Sequence, residues 1–147
     1  IGFKQPVFFM EKKWNIERCY SFPGWCDIGL LDYIWDEIPR GEKTFSYWLT
    51  LNSHFPYSKR DIAPVSMQDI VLCKKLNLGA LEAPRCRNFI LNRQLFSAIA
   101  KKSQQLPIQN LTIILVGDHV PVFIEESDRE SFSRDKVPML ILQTGVK

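Results

Sequence analysis

The sequence predicts an α/β domain with a mostly parallel sheet flanked by helices. Short apolar runs with the composition of strands cover residues 44–51 and 111–116, and both end in small or polar residues. A stretch without Gly or Pro, residues 85–105, separates the two runs. Strands that alternate with helices favour parallel βαβ units and a sheet buried on both faces. A chain of 147 residues has the size of a single domain, so we expect residues 1–147 to form one domain.

The first half of the chain predicts one helix and one strand. Residues 1–26 show little periodicity, and we interpret them as extended segments and turns. Asp27 is a candidate N-cap for an amphipathic helix over residues 28–38, and the Pro-Arg-Gly sequence of residues 39–41 would end it. Residues 44–51 are then the first clear strand.

The second half is predicted from similar local signals. The expected order is a loop over 55–66, a helix over 67–76, a helix over 85–105, a buried strand over 111–116, an exposed loop with room for one helical turn over 124–136, and a strand over 137–142. Ser66 and Asp69 resemble a capping box at the start of the shorter helix. Pro84 suits the first turn of the longer helix, and Pro107 follows its end.

Charge and hydropathy give no support to nucleic-acid binding or to a membrane helix within this sequence. The net charge is +3, and Lys and Arg are scattered, so we expect no nucleic-acid binding. Every apolar run is far shorter than the about 20 residues of a membrane helix. No signal peptide is visible, and the chain opens on Ile1 without an initiator Met. We therefore expect a piece of a longer polypeptide, with any targeting segment upstream.

The four cysteines favour two local disulfides, Cys19 with Cys26 and Cys73 with Cys86. Neither pair forms a Cys-x-x-Cys motif, and four cysteines allow three connectivities. The local connectivity costs the least entropy because it closes the shortest loops. Disulfides would imply an exported protein. Four buried free thiols in a cytosolic protein are the alternative.

The two histidines of the chain both follow apolar runs. His54 comes after residues 44–51, and Asp118 and His119 come after residues 111–116. Ligand sites of open α/β sheets lie outside the carboxyl ends of strands, and imidazole and carboxylate are common ligands of divalent metals. The structural alternative is a turn at Asp118 and a hydrogen-bonded surface histidine at position 54.

Two segments resemble motifs of the alkaline-phosphatase superfamily. Residues 49–57 (Leu-Thr-Leu-Asn-Ser-His-Phe-Pro-Tyr) resemble its segment of a strand followed by Ser or Asn, His, any residue and Pro. Residues 113–119 (Ile-Ile-Leu-Val-Gly-Asp-His) resemble its Gly-Asp-His metal motif, and residues 24–27 resemble the segment that precedes the His motif. The similarity is to the sulfatase-like branch: lipoteichoic-acid synthases, phosphoglycerol transferases and phosphoethanolamine transferases. It covers residues 19–142.

The resemblance implies the carboxyl-terminal part of an alkaline-phosphatase-like catalytic domain. Asp118 and His119 would bind a divalent metal, with Mn or Zn favoured and Mg also compatible. His54 would hold the phosphate or sulfate group of an ester substrate, lipid-linked or free. Trp25 and Asp27 would border the substrate pocket, with a core aromatic residue and a helix cap as the alternative.

Two departures limit the expected activity. Val120 and Pro121 follow the Gly-Asp-His motif, where family members usually have Gly. No segment before residue 44 resembles the family's strand with a nucleophilic Thr and the first acidic metal ligand, so both would lie in a missing upstream half. We expect weak metal binding and little catalysis from this chain alone. The implied location is periplasmic or extracytoplasmic, with a membrane anchor upstream. The alternative function is a non-catalytic α/β binding module with structural histidines.

Overall fold

The computed structural model describes residues 15–22, 24–38, 43–105 and 110–144. Its elements, in chain order, are β1 (Arg18–Cys19), β2 (Gly24–Trp25), α1 (Asp27–Asp36), α2 (Met67–Lys75), α3 (Pro84–Gln105), β3 (Thr112–Val116), α4 (Glu126–Arg129) and β4 (Met139–Gln143). The predicted helices correspond to α1, α2 and α3, and α4 is the single helical turn in the loop 124–136.

The described strands form two separate antiparallel pairs. β1 pairs with β2, and β3 pairs with β4 in a register that runs from Thr112 opposite Gln143 to Val116 opposite Met139. The predicted mostly parallel sheet flanked by helices, expected of a partial alkaline-phosphatase-like domain, is therefore wrong. The reason is the connection after β3. It contains a single helical turn and returns the chain antiparallel beside β3, whereas a parallel partner is usually reached through a full crossover helix.

Two predicted strands also differ from expectation. Residues 44–51 form neither a strand nor a helix in the described part of the chain. Only Ile113 and Leu115 of β3 pack inward, whereas the side chains of Ile114 and Val116 are more than half exposed. β3 is therefore not the buried strand that its composition predicts, because the described helices cover one face of this ribbon only.

Helix α3 joins the two hydrophobic clusters of the described residues. Its first half contributes Cys86, Ile90 and Leu91 to a cluster with Tyr57, Ile62, Cys73 and Phe123. Its second half packs Leu95 and Ile99 against Leu31 and Trp35 of α1, with Trp48 and the inward face of β3 beside them. The loops and strands that carry the polar motifs are thus anchored on one helix.

Local signals set the helix ends. Ser66 and Asp69 form the predicted capping box of α2, in which each side chain accepts from the other residue's backbone N–H. The N-cap of α1 is Cys26, so Asp27 is the first helical residue rather than the predicted cap. Gly79 adopts φ +86° after α2, a conformation that glycine tolerates best.

The predicted local disulfides are confirmed. Cys19 pairs with Cys26 and Cys73 with Cys86, with Cα separations of 4.9 and 5.4 Å, and no cysteine is free. The free-thiol alternative is therefore wrong. The second bridge ties α2 to the first turn of α3 inside the core. Disulfides persist in oxidising compartments, so these bridges indicate an extracytoplasmic location. None of the helices in the described ranges combines the length and the apolar character needed to span a membrane.

Candidate functional site

The two imidazoles, far apart in the chain, lie next to each other. The ring centroids of His54 and His119 are 6.1 Å apart, with an edge-to-face angle of 81°. Both side chains are exposed. The structure therefore brings together the three residues that the sequence selected, His54, Asp118 and His119, at one accessible corner.

Each imidazole is oriented by the carbonyl of the residue that follows it. His54 Nδ1 lies 3.1 Å from the Phe55 carbonyl oxygen, and His119 Nδ1 lies 2.8 Å from that of Val120. A carbonyl oxygen only accepts, so Nδ1 carries the proton and the Nε2 of a neutral ring keeps its lone pair. Histidines that bind metals commonly have this arrangement, with one ring nitrogen donating to a carbonyl and the other available.

The Asp118 carboxylate faces the free nitrogen of His119. Its Oδ2 lies 3.6 Å from His119 Nε2, too far for a direct hydrogen bond. In the neutral ring both atoms are acceptors, so a cation or a proton has to lie between them for a favourable contact. Two ligand atoms of a tetrahedral zinc site, with bonds of about 2.0–2.1 Å, stand about 3.3 Å apart. The donor types and this separation fit a divalent metal.

Buried polar groups hold the loop that carries His54. The Asp27 carboxylate accepts from the backbone N–H of Leu51 at 3.0 Å and of Asn52 at 2.7 Å, and the Asn52 side chain accepts from the Asp27 N–H. The Asn88 side chain of α3 donates to the Ser53 carbonyl at 3.2 Å. Burial raises the pKa of Asp27, and its two backbone hydrogen bonds act in the opposite direction. The residues just before His54 are therefore attached to both α1 and α3.

An aromatic side chain also packs against His54. The Phe22 ring lies 5.1 Å from the His54 ring, between centroids. The Asp61 carboxylate accepts from the backbone N–H groups of Tyr20 and Ser21, and Ser21 Oγ accepts from the Ser58 N–H at 2.6 Å. The turn that carries Phe22 is thereby fixed against the loop after His54.

Gly117 sets the geometry on the other half of the site. Its N–H donates to the Pro138 carbonyl at 2.9 Å. A Cβ at this position would lie 2.8 Å from Pro138 Cδ, closer than real Cβ contacts allow. The close packing of Gly117 against Pro138 thus decides where the chain leaves β3, and with it the position of Asp118 and His119.

The remaining predicted residues lie around this site in different roles. Trp25 is half-buried in β2, with the Arg18 guanidinium 5.0 Å from its ring. Asp27 is buried and uses its carboxylate for the backbone contacts described above. A place for Trp25 and Asp27 at the border of the substrate pocket stays a prediction. Phe22 and Asn88 were missed, because no local pattern in the sequence connects them to His54.

A second group of potential metal ligands is explained by other bonds. Across the described ranges, the one group of three His, Cys, Asp or Glu side chains whose ligand atoms all lie within 4.8 Å of one another is Cys19, Cys26 and Asp61. The two sulfur atoms are joined in a disulfide, and Asp61 accepts the two backbone N–H groups described above. This cluster therefore offers no thiolates to a metal in the oxidised protein.

Comparisons of the chain with protein-family models, with curated proteins and with solved structures give no match.

Proposed function

We propose that His54, Asp118 and His119 form the metal- and oxyanion-binding site of a metal-dependent phosphotransferase or hydrolase. Its substrates would be phosphate or sulfate esters of the cell envelope, lipid-linked or free. The observation that carries this proposal is the 6.1 Å approach of two exposed imidazoles beside a carboxylate. With β3 and β4 antiparallel, support comes from this site and from the two motifs rather than from the fold.

Asp118 and His119 are the proposed metal ligands. Their facing Oδ2 and Nε2 atoms supply the mixed oxygen and imidazole donors that suit Mn²⁺ or Zn²⁺, and Mg²⁺ is also compatible. Asp118 and His119 would hold such an ion, and the chemistry it would supply is Lewis-acid polarisation of a phosphoryl or sulfuryl oxygen. The Val120 carbonyl keeps Nδ1 of His119 protonated, which directs the Nε2 lone pair towards the ion.

His54 is the proposed oxyanion contact. The Phe55 carbonyl fixes its ring through Nδ1, so Nε2 is the atom that faces a ligand. In the protonated ring, Nε2–H donates to a phosphate or sulfate oxygen with the strength of a charge-assisted hydrogen bond. Attachment of residues 51–53 to α1 and α3 would keep this donor in place without reorganisation.

The nucleophile is not proposed among these three residues. On the resemblance, it is a Thr upstream of Ile1, together with a further acidic metal ligand and a membrane anchor. The missing amino-terminal half of the domain is then the first partner of this chain. We expect the chain alone to bind metal weakly and to turn over little substrate.

The test is a crystal soaked in Mn²⁺ or Zn²⁺ and measured at the metal absorption edge. We expect an anomalous peak between Asp118 Oδ2 and His119 Nε2. In solution, the double substitution D118N/H119Q should weaken Mn²⁺ binding at least about 100-fold, because both ligands are lost. D36N, at the exposed end of α1, is the matched control for the loss of one carboxylate and should bind Mn²⁺ like the parent chain.

The competing function is a non-catalytic binding module in which the histidines are structural. Both imidazoles are exposed and hydrogen-bonded to a backbone carbonyl, which this alternative also allows, so metal binding is the property that separates the two functions. Unchanged Mn²⁺ binding by D118N/H119Q, or an anomalous peak away from this corner, would overturn the metal site and favour the binding module.

A further inference from the structure

We propose that a cavity beside His119 is a subsite for an oxyanion group of the ligand, with Arg129 and Arg134 as its recognition residues. Val120, Glu126, Arg129 and Arg134 line the cavity. The ligand class is a phosphate, or a sulfate of the same shape, distinct from the group held at the metal. That this phosphate or sulfate group belongs to an ester substrate rests on the proposed function. The binding of the group itself to the cavity does not depend on that function.

The size and position of the cavity fit one group of a larger ligand. Its volume is about 310 Å³, at the lower end of the range for small-molecule pockets. Val120 lines it and directly follows His119, and the Val120 carbonyl accepts from His119 Nδ1 at 2.8 Å. A ligand held at His119 would therefore lie one residue along the chain from the lining of this cavity.

The part of the cavity wall that carries Arg129 is fixed to the core. Arg85 of α3 forms an ion pair with Asp128 of α4 at 2.9 Å and donates to Ser131 Oγ at 2.9 Å. Phe123 and Phe132, on either side of α4, pack together with ring centroids 5.5 Å apart, and Phe123 is fully buried. The segment between them, which carries Glu126 and Arg129, is therefore held at several points, and this preorganises that side of the cavity.

The charges at the cavity favour an anion. Asp128 is neutralised by Arg85, whereas neither Arg129 nor Arg134 has an ion pair within the part of the chain that the structure describes. The guanidinium group matches the planar edge of an oxyanion and forms paired hydrogen bonds with it. Glu126 opposes these two positive charges, so the lining residues within the described ranges carry a net charge of one positive unit.

Titration with inorganic phosphate, followed by ¹H–¹⁵N NMR on the metal-free chain at constant ionic strength, tests this subsite. We expect shifts at the amides of Val120, Arg129 and Arg134. R129Q/R134Q should weaken phosphate binding about tenfold, because two charged donors are lost. E126Q should strengthen binding, because it removes the opposing charge. K74Q/K75Q, at the exposed end of α2, removes the same two charges elsewhere and should leave the affinity within about twofold.

The proposal is overturned if R129Q/R134Q binds phosphate like the parent chain, or if K74Q/K75Q weakens binding equally. The second outcome would mean diffuse attraction by surface charge. Both arginines are exposed, and a preserved NMR spectrum away from the cavity checks that the variant is folded. D118N/H119Q separates the two proposals, since it should abolish Mn²⁺ binding while phosphate binding to the metal-free chain persists.

Discussion

Gly117 is the residue on which the direction of the Asp118–His119 segment depends. G117A places a methyl group 2.8 Å from Pro138 Cδ, and a proline ring cannot rotate away as a flexible side chain can. We expect a loss of about 1–3 kcal/mol in the free energy of unfolding, measured in urea, together with weaker Mn²⁺ binding.

Gly29 gives a matched control within the same chain. It lies inside α1, and a Cβ there would meet nothing closer than 3.6 Å. G29A should therefore stabilise the protein by about 0.5–1 kcal/mol through helix propensity. Equal effects of the two substitutions would show that the contact with Pro138 does not constrain the site.

Tyr57 lies three residues after His54, and its buried phenol should make the free energy of unfolding decrease at alkaline pH. Burial raises its pKa to about 12 from an ordinary value of 10.0. The unfolded chain therefore ionises this phenol at lower pH than the folded chain does. The contribution of the neutral Tyr57 phenol to the free energy of unfolding is fully present below pH 10. It decreases as the pH rises towards 12, by about 2–3 kcal/mol in total.

The measurement is the free energy of unfolding from pH 9 to 12 for the parent chain and for Y57F. The variant has no phenol to ionise, so its stability should fall less over this range. Parallel curves for the two proteins would mean that Tyr57 titrates alike in the folded and unfolded states.

The proximity of the candidate site residues could be expected where a short motif contains them, while their roles stay a prediction. His54, Asp118 and His119 each come two or three residues after an apolar run, and the structure places the two imidazoles beside each other and the carboxylate next to His119. Asn88 and Phe22 were not predictable, because their roles depend on contacts with residues distant in the chain. Such contacts arise from the packing of distant segments, which the hydrophobic periodicity of the sequence does not indicate.

At the scale of elements, the two disulfides differ in burial. Cys73 and Cys86 are 1% and 0% exposed, whereas Cys19 and Cys26 are partly exposed. Under dithiothreitol in native buffer, the Cys19–Cys26 bridge should be reduced first. The Cys73–Cys86 bridge should react only when α2 separates from α3, because a thiolate has to reach the sulfur it attacks.

Timed alkylation followed by mass spectrometry of the peptides measures the order of reduction. In concentrated urea both bridges are equally accessible, so their rates should become similar, and this is the control. Reduction of Cys73–Cys86 first in native buffer would contradict the burial of that bridge.

The helices could be predicted from the sequence, but the sheet could not. Ser66 and Asp69 mark the start of α2 locally, and Pro84 lies at the first position of α3. The direction of β4 relative to β3 depends instead on how the loop between them returns. Apolar residues on both faces of β3 suggested a strand covered on both sides, yet only Ile113 and Leu115 are covered here.

For the whole molecule, the site depends on two parts of the chain that α3 brings together. The residues before His54 are tied to α1 through Asp27, while His119 follows β3, whose inward face packs on the cluster of α1 and α3. The His54–His119 distance therefore reports how α1, α3 and β3 are assembled. Substitution of Asp27 should change this distance, because Asp27 acts on His54 through the backbone of Leu51 and Asn52.

D27A removes the acceptor for the backbone N–H groups of Leu51 and Asn52 and leaves them buried without that partner. We expect a loss of about 1–3 kcal/mol in the free energy of unfolding and a weaker nuclear Overhauser effect between the His54 and His119 rings. D27N keeps one side-chain acceptor, so its free energy of unfolding and its inter-ring nuclear Overhauser effect should lie closer to those of the parent chain. D36A, at the exposed end of the same helix, controls for the lost charge and should change neither. An unchanged inter-ring effect in D27A would show that α1 does not position His54, and the attachment of the site would then rest on Asn88 of α3.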